Sequence, residues 1–575
     1  MNLESRHFIN NIEIRPKNGD EIGLKLDWSG ETEEAELNTD SIILENLAKK
    51  LVTDHIEQYG IFEGIPYTFM VGNFSLDYYI DLTDNPQISG TGDSAVEVKI
   101  KRRKAIDWFK EQANGTSFEL INKEIGINTI DVPYLIVKDN QAELLIMLLI
   151  TTFTLTKSLI EGVKDLSDAI TEVIKASTPN LGIPPSYNTG AIISAVILAL
   201  ARLVYVIALT IALIDMTKQI IEIIFPPIRK FKGATVLELM QKGCHKLGMT
   251  FQSTIIENNS QLTIVGVPLK KDKESILTKL FTLTTGYFNK GYPTARDSVS
   301  TVGQLMDTLQ QMYNAKFRVV GNNLIFERRD YWVLNSGVSI VNTLNLQNVR
   351  ENQWQYNTAD AWKRYYMHYQ YDISDWHTMD KLDDTDCEYS TEPVSVSNAD
   401  LVSIKGLVDI QIPFAFGIRK DSLTWIEKFC IPFTQTADTV ISFFGGGSSL
   451  TASVKGRIGV MLIGQAFFGT TKLIFQTGGK QPPAYREVIG ANALYQKYHK
   501  INQVKENFKR IYTETIAFST DQFLQLLDNN YVTDQNGNSL EILTFEWINE
   551  SKTAEITYSV LSVEGFNTKT ILIDG

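Results

Sequence analysis

The hardest constraint on this chain is residues 191–214, AIISAVILALARLVYVIALTIALI, 24 positions carrying one charge, Arg202. A run this long and this apolar meets the length required of a membrane-spanning helix. A shorter apolar run precedes it at residues 144–155 (LLIMLLITTFTL), followed at helical spacing by Ile160, Val163, Leu166, Ile170 and Ile174. Between the two, residues 177–190 carry Pro179, Gly182, Pro184, Pro185 and Gly190, which break regular structure. The pattern predicts two apolar helices joined by a turn, the second ended by Pro226 and Pro227. Three fates are open to such a pair: permanent residence in a bilayer, packing inside a multi-subunit helical bundle, or shelter until delivery to a membrane. Arg202 weighs against the first, because a mid-bilayer arginine costs at least about 2.5 kcal/mol. The bundle or membrane contacts are expected from Leu145, Leu148, Ile193, Ile197, Arg202, Val206 and Ile211.

Around this insertion the patterning alternates between strand and helix. Phe8, Ile9, Ile12 and Ile14, then Ile22, Leu24, Leu26 and Trp28, predict two strands with a hairpin turn at Asn18-Gly19. Ile42, Leu44, Leu47, Leu51 and Ile56 predict a helix over 41–60, stopped by Gly60. Strands are expected at 67–70, 78–82 and 96–100, with a short helix from Trp108, and this β-rich segment ends near 130–137. Downstream, Thr235, Val236, Leu239, Met240 and Phe251 recur as Thr301, Val302, Leu305, Met306 and Phe317, each offset by 66 residues (301 less 235, 317 less 251). Each copy predicts a Thr-capped amphipathic helix, a strand near the Phe and a second strand, at 261–265 and 323–327. Residues 336–450 read as strands with an aromatic patch, Trp354, Tyr356, Trp362, Tyr365, Tyr366, Tyr369 and Tyr371. Aromatics are enriched at interfaces, so Trp354, Trp362 and Tyr366 are candidate subunit contacts. The end of the chain predicts a helix over 491–508, a hairpin at Asn536-Gly537 and strands at 553–561 and 568–573. The expected class is α+β, and the chain divides into a β-rich domain (1–138), the apolar hairpin (139–232), a tandem helix–strand–strand domain (233–335) and a second β-rich and C-terminal domain (336–575).

Charge and composition narrow the chemistry. A net charge of −13 disfavours a general nucleic-acid binder, which neutralises phosphates with Lys and Arg. The basic cluster Lys99, Lys101, Arg102, Arg103 and Lys104 alternates with Val98 and Ile100, as a strand edge with one solvated face does. Cys244, Cys387 and Cys430 are too few and too scattered for a disulfide framework or a zinc site. The N-terminus lacks a basic region followed by an apolar one, so synthesis in the cytoplasm is expected. Hydrolysis or group transfer needs a convergent nucleophile, base and donor set. The six histidines (His7, His55, His245, His368, His377 and His499) show no metal-ligand spacing, and no GxSxG occurs. Residues 445–449 (GGGSS) lack the GK[ST] of a phosphate loop, and the acidic run 383–388 lacks the glycine and terminal glutamate of an EF-hand. Neither a catalytic residue nor a cofactor or metal ligand is assigned.

Three stretches resemble the tail-hub, or baseplate-hub, proteins of tailed bacteriophages and related contractile injection machines. The first is TVGQLM at 301–306, running through AKFRV at 315–319 to LIFER at 324–328. Another is ADAWKRYYMHYQYDISDWHT at 359–378, followed by IKGL at 404–407 and IQIPF at 410–414; the third is residues 494–523. The resemblance covers most of the chain in general pattern, and the apolar insertion departs from it. It implies two β-barrel-like tube domains per chain, three chains forming a pseudo-sixfold ring, and helix–strand units on the outside. The partners it implies are two further copies plus tail-tube, tape-measure and tip proteins, in a virion tail, with no sequence-specific nucleic acid. An acidic protein also suits a conduit through which DNA slides without sticking. Two other readings stand beside it: a membrane-perforating delivery protein outside any tube, and a hub-fused cell-wall hydrolase.

Overall fold

The structure, a computed structural model, describes residues 5–19, 21–28, 34–38, 41–72, 74–83, 87–88, 95–102, 105–136, 228–269, 298–328, 331–332, 354–356, 362, 364–372, 375, 387–392, 407–423, 428, 455–463, 469–477, 479–500, 510–517, 523, 526, 530–533, 539–547 and 553–560. Within them the fold is mixed α+β and mostly strand. Both predicted apolar helices, with Leu145, Leu148, Ile193, Ile197, Arg202, Val206 and Ile211, lie outside the described residues, as do residues 383–386 and 445–449. Among the described residues no helix is long and apolar enough to cross a membrane.

The N-terminal sheet has seven strands, all antiparallel. Its first hairpin joins Ser5–Ile9 to Ile12–Ile14. The turn is Asn10-Asn11, with φ of 50° and 64°. Two successive left-handed residues are what a tight type I′ turn demands, and asparagine tolerates them. The Asn18-Gly19 turn, expected to pair 8–14 with 22–28 as a hairpin, is instead a link between sheets, with Gly19 N–H donating to the Pro16 carbonyl at 3.1 Å. Strand Ile65–Val71 buries Ile65, Tyr67, Phe69 and Val71 on one face, the alternation of a half-buried strand.

The helix expected over 41–60 is shorter. Ile42–Leu44 is a strand paired with Val96–Val98, and the helix runs Asn46–Tyr59. Asn46 takes φ 49° and turns the chain from one to the other. Ile42 and Leu44 are two apart and both buried, so a period of two outweighs the helical reading there. The helix buries Ala48 and Val52, which leaves Leu47 53% exposed.

A second seven-stranded antiparallel sheet joins the chain's two ends. Its order is Trp354–Tyr356, Arg510–Ala517, Thr553–Val560, Ser539–Trp547, Gly23–Asp27 and Glu34–Asn38, with Tyr531–Thr533 beside Ser539–Trp547. Leu24 and Leu26 stand opposite Trp547 and Phe545. The two sheets share one core that runs from Ile9 and Phe69 to Phe545 and Tyr558.

The second core is organised by the repeat. Thr235 caps the helix Val236–Lys246 by accepting from Glu238 N–H, and Thr301 caps Val302–Tyr313 by accepting from Gln304 N–H. In the second copy the Gln304 side chain also accepts from the Thr301 N–H, completing a capping box. Leu239, Met240, Leu305 and Met306 are all fully buried in one cluster, as the repeat implies. The helices cross closely where Gly243 faces Val302: a Cβ on Gly243 would stand 2.7 Å from Val302 Cγ2. After the helices the copies diverge. Ala315–Val320 and Asn323–Arg328 form a hairpin, and Thr250–Gln252 adds to it in parallel. The first copy instead inserts a short helix, Thr254–Asn258, and sends Leu262–Val265 into a six-stranded mixed sheet.

That sheet runs Ala415–Phe416, Lys472–Phe475, Leu262–Val265, Arg229–Thr235, Ile130–Ile136, Met461–Ile463. On its far side a smaller core stacks Tyr134 on Phe231, ring centroids 3.7 Å apart. A three-stranded, tyrosine-rich sheet, Glu388–Ser390, Tyr365–Tyr369 and Val408–Ile412, packs against the repeat's core.

Candidate functional site

The aromatic run that reads as one patch is divided between two sheets. Trp354 and Tyr356 sit on a short strand at the outer end of the joint sheet, paired with Arg510, Ile511 and Tyr512. All three residues of Trp354–Tyr356 are exposed. The Arg510 guanidinium lies 4.4 Å from the Trp354 ring centroid and 5.9 Å from that of Tyr356. Hydrogen bonds that Arg510 donates to Tyr356 and then Tyr512 hold it still more firmly in its charged form. Tyr512 stacks on Tyr558 at 5.3 Å, and Tyr558 donates to Glu514 at 2.7 Å. The result is a Trp–Arg–Tyr ladder at a sheet edge, built of residue types that dominate interface energetics.

Tyr366 and Trp362 belong elsewhere. Trp362 is half-buried against the repeat's core, with Tyr365 and Tyr369 buried beside it. Tyr369 donates to the Ile489 carbonyl, tying the tyrosine-rich sheet to the helix Tyr485–Ile489. Tyr366 faces outward and donates to Glu388 at 2.7 Å, as Tyr371 does at 2.6 Å. His368 stacks on Tyr366 at 4.8 Å and sets Nε2 3.0 Å from Asp409. Hydrogen bonds from Tyr371 and Tyr366 hold the Glu388 carboxyl below the usual range. Burial, then the bond to Glu388, pushes the Tyr366 phenol up to about 12. This is a satisfied polar network whose phenols stay protonated donors at neutral pH.

Other chemistry-bearing residues are placed as packing. Burial pushes the Cys244 thiol up to about 12, so it is no nucleophile, and Cys387 is buried in the same core. His7 lies inside the N-terminal sheet, with Nδ1 2.7 Å from the Tyr67 hydroxyl, and His499 Nε2 lies 3.2 Å from the Met312 carbonyl. Among the described residues no three His, Cys, Asp or Glu side chains stand close enough to hold a metal ion. Of the basic cluster, Lys99 and Lys101 point to solvent from a strand whose Val96 and Val98 are buried, and Lys101 pairs with Asp81 at 2.5 Å.

One exposed feature escaped the sequence reading. Tyr59, Ile61 and Phe62 follow one another off the end of the helix Asn46–Tyr59, and Phe62 is 90% exposed. The signal was the Ile61-Phe62 doublet directly after Gly60, where a helix stop would ordinarily be followed by polar residues.

No family model matches the chain, and no curated protein matches it in sequence. Among solved structures, it is similar to prophage tail protein gp18 from Listeria monocytogenes EGD-e, at 8% identity and a TM-score of 0.31, covering 99% of this chain and 97% of that one. It is also similar to the 43 kDa tail protein of prophage MuSo2 from Shewanella oneidensis, at 8% identity and a TM-score of 0.30, covering 97% of this chain and 98% of that one. Neither score reaches the level at which a shared fold is shown.

Proposed function

We propose that the chain is a structural subunit of a phage-type tail, a hub that assembles as a homotrimeric ring, closes the tail tube and joins it to the tip. The observation that carries this reading is the pair of seven-stranded antiparallel sheets built on one core. The hub resemblance implies two tube domains per chain, hence six around a ring of three, and on this reading these strands supply the tube wall. The exposed ladder of Trp354, Tyr356 and Arg510 at an outer sheet edge offers a subunit contact of the right chemistry. Tail-tube, tape-measure and tip proteins are the neighbours on this reading, and the role is architectural, without a reaction. Mass photometry and negative-stain imaging of the purified protein test it. Rings of three copies are expected, and a monodisperse monomer at micromolar concentration without detergent overturns it.

A second role is favoured by the apolar run at 191–214, which departs from the hub resemblance. Packed against protein in the particle, this segment and its neighbour at 144–155 could exchange those contacts for lipid on delivery. Leakage from liposomes, compared between the full chain and a deletion of residues 140–228, tests that role. Equal leakage from both removes it.

A further inference from the structure

Between the six-stranded sheet and the tyrosine-rich sheet lies a buried charge cluster that the proposed tail role does not use. Lys472 opens the strand Lys472–Phe475 and stands opposite Ala415, whose neighbours Phe414 and Phe416 are buried. Asp372 and Asp375 lie just beyond the strand Tyr365–Tyr369, held in a turn by the Asp375 N–H donating to the Asp372 carbonyl at 2.8 Å. Lys472 Nζ is 2.8 Å from Asp372 Oδ2 and 3.0 Å from Asp375 Oδ2. The three side chains are 1%, 2% and 0% exposed, in that order. Lys472 faces two buried carboxylates, and buried ion pairs seldom outperform apolar packing. A lysine amine, an acid it touches and a second acid beside both can also react.

We propose that Lys472 and Asp372 join in an intramolecular isopeptide bond, with Asp375 carrying the protons. Burial pulls the Lys472 amine down, and the charges of Asp375 and Asp372 more than reverse that, so the step starts from an ammonium. Nζ passes one proton to the Asp372 carboxylate, leaving a neutral amine beside a neutral acid. Dry surroundings favour this neutral pair over the ionised one more than water does. The Nζ lone pair attacks Asp372 Cγ beside the Asp375 carboxylate, whose Oδ2 is 3.0 Å from Nζ. Asp375 then takes a proton from nitrogen and returns one to the departing hydroxyl; the Nζ–Cγ bond forms, the Cγ–O bond breaks and water leaves. One amine and one acid become one secondary amide and one water, nothing is oxidised or reduced, and Asp375 ends as it began. Fixed contact makes a slow reaction accessible, since well-oriented intramolecular pairs reach effective molarities on the order of 10⁵–10⁸ M. The product removes the buried ion pair and ties the two sheets covalently, a brace independent of whether the particle is a tail.

Intact-mass spectrometry of the purified full chain tests it, followed by tryptic peptide mapping. The expected chain is lighter than its sequence by one water, with a branched peptide linking Lys472 to Asp372. Lys472→Arg and Asp372→Ala should each show the full mass of the unlinked variant, and Asp375→Asn should leave most molecules unlinked. A wild-type chain at full mass, with Lys472 recovered in linear peptides, overturns the bond. So does a water deficit that maps to a cyclised aspartate instead of Lys472. Linkage in Asp375→Asn as complete as in the wild type overturns the proton-carrying role.

Discussion

The crossing of the two repeat helices gives a prediction whose sign depends on one contact. Alanine in place of Gly243 should favour the helix Val236–Lys246, since glycine in a helix interior costs about 1 kcal/mol relative to alanine. The added methyl has nowhere to go. It would stand 2.7 Å from Val302 Cγ2 and 3.0 Å from Val302 Cγ1. Val302 is fully buried and, being β-branched on a helix, has one strongly preferred rotamer, so it cannot swing aside. Overpacking of this kind costs roughly 1–3 kcal/mol. Set against the propensity gain of about 1 kcal/mol, Gly243→Ala should destabilise the wild-type chain by about 0–2 kcal/mol. In a Val302→Ala background the obstructing methyls are gone. There the same substitution should stabilise by up to about 1 kcal/mol.

The chain holds more than one core, so global unfolding is no clean two-state measure. Native-state hydrogen exchange followed on peptides covering 236–246 and 302–313 reads the local opening energy instead. The expected outcome is a coupling of about 1–3 kcal/mol between the two positions, within the range measured for contacting residues. Were Gly243→Ala to act alike in both backgrounds, to within about 0.5 kcal/mol, the two helices would not cross at this glycine and the packing argument would fail.

Four further outcomes follow from the same structure. Leu305→Ala should cost about 2–5 kcal/mol in the exchange of 302–313, because Leu305 is fully buried. Leu47→Ala, at an exposed site that the helical pattern placed with its buried neighbours, should stay within about 0.5 kcal/mol; a reversed order would contradict the assigned faces. Trp354→Ala should lower the fraction of oligomer in mass photometry while leaving circular dichroism unchanged, and an unaltered ring would move the subunit contact away from this edge. The Glu388 carboxyl is held down by Tyr371 and Tyr366, so its folded pKa lies below its unfolded value. Its contribution to stability is therefore present above the ordinary glutamate range and is lost as pH falls through the lower folded value. An acid titration of thermal stability should lose that component in Tyr366→Phe/Tyr371→Phe, and an identical acid limb in both proteins would show that the network contributes nothing.

How much of this was legible in the sequence depended on how far along the chain each cause lay. The repeat helices were readable because their caps act over three residues: Thr235 meets Glu238 N–H and Thr301 meets Gln304. The burial of Leu239, Met240, Leu305 and Met306 followed from the same local period. Strand pairing was not readable, because alternation states which residues face inward but not which strand lies alongside. Asp27 pairs with Thr544, and no local pattern near Asn18-Gly19 marks that the chain leaves one sheet there for another. The true hairpin turn at Asn10-Asn11 was overlooked because asparagine pairs signal a type I′ turn less loudly than Asn-Gly does.

The candidate contact surface failed to read as one for a related reason. Trp354 and Tyr356 resemble Tyr365, Tyr366 and Tyr369 in composition, yet the chain changes sheets between Tyr356 and Trp362 and gives the two groups different jobs. The first group keeps its rings exposed around Arg510 at an edge, whereas Tyr365 and Tyr369 go inward as core. Lys472 is the sharper instance. Preceded by Thr470 and Thr471 and followed by Leu473, Ile474 and Phe475, a lysine there reads as the solvated start of a strand. Only the fold brings Asp372 and Asp375 to it across a hundred residues, turning an unremarked charge into the most deeply enclosed amine among the described residues. Chemistry carried by such long-range encounters leaves no periodic trace, and so the one place in this chain where a covalent step can be argued is also one where spacing and composition gave no warning.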